Sequence, residues 1–168
     1  MARETKLQKQ LLQYMRSVTL VRTSIPGGDK YKYKGMEDFV LKNGKFYPIS
    51  KRKVKLGRIK ECFSNAAKLA IDDSSLIYCE GYFLSKKLPI PIYHAWVIDR
   101  EGKVIDNTIR VQKDEGTRLY YGVEFSTEYL CATVLSKGTY GLIDNWEKGY
   151  PLITGKDKEV EWKKLRNK

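Results

Sequence analysis

Apolar residues Leu7, Leu11, Tyr14, Met15 and Val18 recur at helical spacing, with Lys6, Lys9 and Arg16 among the polar positions between them. The pattern predicts an amphipathic helix over residues 4–22, stopped by IPGGDK. In DFVLKNGKFYPI two short apolar runs flank Asn43-Gly44, the dipeptide that best tolerates positive φ at both turn positions, which predicts a β-hairpin. A charged connector, SKRKVKLG, follows it. After Gly57 the character changes. RIKECFSNAAKLAID sets Phe63, Ala66, Ala67 and Ala70 at helical spacing before DDSS ends the pattern, predicting one short, largely buried helix with Cys62 in or near its first turn. LIYCEGYFL, PIYHAWVID and KVIDNTI read as three strands, joined by links short enough to pair them antiparallel. FSTEYLCATVL reads as a second core helix with Ser126 as N-cap, and the tail is expected to pack Trp146 and Leu152 before fraying.

Strands after a helix, without internal repeat, imply an α+β domain spanning residues 1–168. At 42% hydrophobic and 12% aromatic content the chain can fill one core. It has no run of eighteen apolar residues, and charges interrupt its first thirty, so neither a membrane span nor a secretory signal is expected and the location is read as cytoplasmic. Three cysteines and a single histidine do not supply the usual zinc ligand sets, and no metal or cofactor is expected.

Charge alters this picture. Sixteen of the 32 basic residues but only four of the 20 acidic ones fall in residues 1–60, so the net charge of +12 resides in the N-terminal part. Such a field attracts nucleic acid, an anionic membrane surface or an acidic partner without specifying which. KYKYKG interleaves aromatics with cations as single-strand binders do, although no recognised nucleic-acid motif accompanies it. A basic nucleic-acid-binding module is therefore the alternative to an enzyme.

The only histidine, His94, lies in a strand, and turn sterics decide what faces it. A two-residue loop would force Glu101 to positive φ, whereas the three-residue loop Arg100-Glu101-Gly102 puts only glycine there. The resulting register pairs Asp99 with Lys103, Ile98 with Val104, Trp96 with Asp106 and His94 with Thr108. His94, Trp96 and Asp106 then share a face, with His94 diagonal to Asp106; the other loop would have presented Asn107. Either residue can accept a hydrogen bond from the imidazole Nδ1–H, but a carboxylate also stabilises the imidazolium, so Asp106 is taken as the orienting acid. Cys62 is the cysteine at a helix start, where the unpaired N–H groups favour thiolate. Cys79 and Cys131, in a strand and an apolar helical stretch, read as packing residues.

The order Cys, His, Asp over a helix and an antiparallel sheet resembles the transglutaminase-like branch of the papain-like cysteine superfamily. HAWVIDREGKVIDNT is similar to that branch's histidine-led HAWV strand and its G-x-V-x-D-x-T strand, and the likeness covers residues 57–109. The block from ECFSNA through YGVEF also resembles small phage and bacterial proteins. The resemblance implies a nucleophile helix packed on the sheet, a papain-like core at 57–150, a basic helix-and-hairpin extension at 1–56 and a tail at 151–168. It implies thiol-dependent acyl chemistry on an acyl or amide substrate, with Cys62 as nucleophile, His94 as base, Asp106 holding it and the Cys62 N–H as an oxyanion donor. Asn65, Glu80, Tyr82, Trp96 and Asn107 are the expected substrate-side residues. Phe63 keeps the aromatic that follows the cysteine in that branch, while Lys60-Glu61 stand where a Gly-Gln or similar pair precedes it.

Overall fold

A computed structural model of the chain describes residues 4–24, 31–52, 54–109, 118–138 and 140–163. Helix α1 (Lys6–Thr23) begins at a reciprocal cap, in which Thr5 accepts from the Gln8 N–H and Gln8 answers through the Thr5 N–H, and it buries Leu11, Leu12 and Met15. Then come α2 (Met36–Asn43), strand β1 (Lys45–Tyr47), α3 (Cys62–Asp72), β2 (Ile77–Ser85), β3 (Ile92–Ile98), β4 (Val104–Ile105) and β5 (Arg118–Glu124). Helix α4 (Thr127–Lys137), a 3-10 turn (Trp146–Lys148), α5 (Pro151–Thr154) and α6 (Glu159–Trp162) complete the order. The architecture is α+β. Among the described residues five strands form one antiparallel sheet in the order β1-β5-β2-β3-β4.

Side-chain alternation divides the sheet into two apolar faces. One carries Tyr78, Leu84, Ala95, Val97 and Val123 against the helices, where Leu11, Met15, Phe39, Ala66, Ala67 and Ala70 join them in one cluster. The three alanines remove bulk where α3 meets the sheet, so its backbone can lie close to β3. The opposite face carries a second cluster of Tyr47, Cys79, Phe83, Trp96, Ile98, Val104 and Tyr120. Among the described residues no helix is long and apolar enough to cross a membrane.

Four expectations need correction. The hairpin around Asn43-Gly44 is instead the end of α2 and the start of β1. Gly44 is extended (φ −94°), and glycine is required there by proximity, since a Cβ would lie 2.6 Å from the Val40 carbonyl oxygen and 2.8 Å from that of Gly122. Glu37 and Asp38 in the first turn favour the helix, whose Phe39 and Val40 are both buried. The third expected strand shrinks to two residues, because the Asp106 carboxylate accepts the N–H groups of Thr108 (2.8 Å) and Ile109 (3.0 Å) and turns the chain out of the sheet. Strand β5, unforeseen, enters between β1 and β2. In the tail Leu152 is buried as expected, but Trp162 (2% exposed) is the buried indole and Trp146 is 62% exposed.

The β3–β4 turn follows its steric reading. Gly102 alone takes positive φ (76°), and Ile98 pairs with Val104. Asp99 N–H donates to the Lys103 carbonyl at 3.0 Å, closing the three-residue loop.

Candidate active site

Cys62 is the first residue of α3, and the segment before it is fastened at several points. Gly57 N–H donates to the Asn107 carbonyl (2.7 Å), Arg58 N–H to Asn65 Oδ1 (3.1 Å), and Asn65 Nδ2 to the Arg58 carbonyl (2.7 Å) and Thr108 Oγ1 (2.9 Å). Asn107 Nδ2 returns to the Asn65 carbonyl at 3.4 Å. Asn65 and Asn107 are thus buried amides that tie the approach to Cys62 to the segment carrying Asp106. A Cβ on Gly57 would sit 2.3 Å from the Asn65 amide, so only glycine lets this clasp close. Lys60 then adopts φ 66°, and the chain turns sharply into the helix.

Strand β4 covers only Val97 and Ile98 of β3, leaving the earlier part of that edge open to the start of α3. There the Cys62 sulfur lies near enough to the His94 ring and to the backbone N–H groups of Ala95 and Phe63 to interact with each. His94 Nε2 lies 2.7 Å from Asp106 Oδ2, and the two side chains are 3% and 6% exposed. The acid therefore takes Nε2, where the turn argument had placed Nδ1, and Nδ1 is left for the sulfur. Asp106 Oδ2 accepts a second bond, from the Tyr120 hydroxyl at 3.0 Å, while Oδ1 holds the Thr108 and Ile109 N–H groups.

Burial works against every charge in this group, yet the partners prevail. For Cys62, burial would raise the thiol, but the hydrogen bond and charge of His94, with the Ala95 and Phe63 N–H groups, bring it below the ordinary thiol value. For His94, burial disfavours the cation, while hydrogen bonds to Asp106 and Cys62 and their charges raise the imidazole to about 9. Asp106, although buried, is held below the usual carboxylate value by His94 and the two backbone donors. These directions favour a thiolate–imidazolium pair, braced by a carboxylate with four donors.

The remaining sequence candidates fall elsewhere. Trp96 is fully buried, its ring 6.3 Å from the His94 ring and inclined by 24°, so it walls one side of the imidazole and is closed to a substrate. Its Nε1 has no hydrogen-bond partner among the described residues. Glu80 and Tyr82 pair with Ala95 and Tyr93, whereas His94 pairs with Gly81, so period-two alternation turns both away from the imidazole to the helix face. There Glu80 is fully enclosed, accepting the hydroxyls of Tyr78 (2.7 Å) and Tyr93 and the N–H groups of Leu142 and Ile143 (3.0 Å). The Tyr82 hydroxyl donates to Glu37 at 2.8 Å. Tyr120 escaped the sequence reading because its strand did; the alternation in RLYYGVE was the available signal. The Ala95 N–H is a backbone group with no signature in residue type. Cys79 is fully buried and Cys131 lies part-buried on α4.

Comparison of the chain with protein-family models, with curated proteins and with solved structures gave no match.

Proposed function

We propose that the protein performs cysteine-dependent acyl chemistry through a thioester on Cys62, on a papain-like or transglutaminase-like arrangement of helix and sheet. The observation carrying this reading is the convergence of a helix-initial cysteine, the sole histidine and a buried carboxylate from three separate segments. In the first step the Cys62 thiolate attacks the acyl carbon of an amide. The oxyanion gathers at the start of α3, where the Cys62 N–H has no acceptor within the helix. The His94 imidazolium passes its proton to the departing nitrogen, leaving thioester and neutral imidazole. An incoming water or amine gives a proton to His94 as it attacks the thioester, and collapse returns the thiolate. Water makes the protein an amidase, peptidase or deamidase; an amine makes it an acyltransferase. The cysteines are free, in keeping with a reducing compartment such as the cytoplasm.

Nucleic-acid binding is the competing reading, and some cations of the basic segment have acidic partners within the chain. Arg22 meets Glu37 (3.3 Å), Lys42 meets Asp38 (2.8 Å) and Lys45 meets Glu124 (2.7 Å). The test is thiol reactivity. Iodoacetamide should label Cys62 well ahead of Cys79 and Cys131 near neutral pH, and His94→Ala should slow that labelling; equal rates at the three thiols would refute the enzyme.

A further inference from the structure

The connector leading into α3 has features that the acyl chemistry does not use. Lys51, Arg52, Lys55, Arg58 and Lys60 are exposed along it, interleaved with Leu56 (47% exposed) and Ile59 (68% exposed). The segment is irregular, yet it is held in place by the Asn65–Asn107–Gly57 clasp. Arg52 and Arg58 have exposed acidic neighbours, Asp73 at 3.5 Å and Glu61 at 3.6 Å, contacts weak enough to exchange for a ligand. Lys51, Lys55 and Lys60 make no ion pair with any described residue.

Lys60 is the most telling of these. It stands two residues before the nucleophile in the left-handed region (φ 66°), where glycine would fit without strain and lysine does not. Strain retained beside a reactive group points to a task for the side chain that causes it.

We infer that this connector is the substrate-recognition side of the Cys62 site, and that the acyl donor is a polypeptide segment bearing carboxylates beside the reacting amide, met by Lys60 and Arg58. The inference rests on the reading of Cys62 as nucleophile and narrows it to a substrate class. Leu56 and Ile59 decide between polyanions: aliphatic side chains among cations suit a peptide that brings both carboxylates and apolar groups. A nucleic-acid backbone also has no amide carbon for the thiolate to attack.

Iodoacetate and iodoacetamide are nearly equal in size and differ in charge, so the ratio of their rates at Cys62 measures the local field independently of the thiol's own reactivity. Lys60→Gly keeps the turn, because glycine takes φ 66° freely, and should lower the iodoacetate-to-iodoacetamide ratio roughly threefold. Adding Arg58→Gln should lower it further, and about 0.5 M NaCl should erase the difference between variants. A ratio indifferent to both substitutions would overturn the inference, while slow iodoacetamide labelling of the unaltered protein would instead strike the nucleophile reading. In a second arm, a glutamate-rich peptide should protect Cys62 from iodoacetamide. Equal or stronger protection by single-stranded DNA of matched charge would overturn the assignment to an acidic polypeptide.

Discussion

Replacing Asp106 by asparagine keeps the shape of the side chain and removes its charge. Oδ1 of the native carboxylate accepts two backbone N–H groups, so the asparagine carbonyl stays with them and the NH2 faces His94 Nε2. Nε2 must then accept, which moves the ring proton to Nδ1, towards the sulfur, and the imidazole can no longer take a proton there. The energetic side follows from the imidazole value, raised from 6.5 to about 9 against the opposing effect of burial. That difference is worth roughly 3 kcal/mol in favour of the imidazolium, with Asp106 and Cys62 as its sources. If the carboxylate supplies about half, removing it weakens the thiolate–imidazolium pair roughly tenfold relative to the neutral thiol–imidazole pair. The assay is the rate of iodoacetamide labelling at Cys62 as a function of pH. The native protein should show its acid limb below the ordinary thiol range, and Asp106→Asn should move that limb up by about one pH unit. An unmoved limb in a folded variant would refute the reasoning.

Two further outcomes follow from the same contacts. A group raised on folding, such as His94, contributes stability that is complete below its unfolded value of 6.5 and is lost as pH climbs through about 9. In the native protein the lowered Cys62 thiol releases a proton where His94 retains one, so the two contributions to the slope oppose each other. Cys62→Ser removes that compensation, and its urea-unfolding free energy should decline with rising pH across the window; a flat profile would mean that Asp106 alone does not raise the imidazole. Glu80→Gln presents an NH2 to a pocket of four donors and should cost about 3 kcal/mol in urea unfolding, whereas a loss under about 1 kcal/mol would show the buried carboxylate to be dispensable.

Local steric rules reached furthest in the β3–β4 turn, where the intolerance of a Cβ for positive φ set the register and brought an acid to the histidine. The α3 alanines and the Ser126 cap were equally readable, being short-range signals; Ser126 accepts the Tyr129 N–H at 3.1 Å. Long-range proximity was not. Gly44 looks like a turn glycine until Gly122, from a strand far along the chain, is seen against it. Whether Phe39 and Val40 make a strand or a helix depends on which neighbours bury them, and periodicity in so short a run does not decide. The rim assignments of Glu80 and Tyr82 ignored their register with β3, which alternation alone would have turned to the far face. Which imidazole nitrogen meets the acid depends on the ring's rotation in its pocket, and that lies beyond any count of residues.

The hydroxyl that Tyr120 extends to Asp106 comes from β5, made after every other component of the triad. On a growing chain the sulfur emerges first, the ring and the acid later, and the strand that braces the acid last of all. Under the proposed acyl chemistry the site is therefore incomplete until that last strand has entered between β1 and β2.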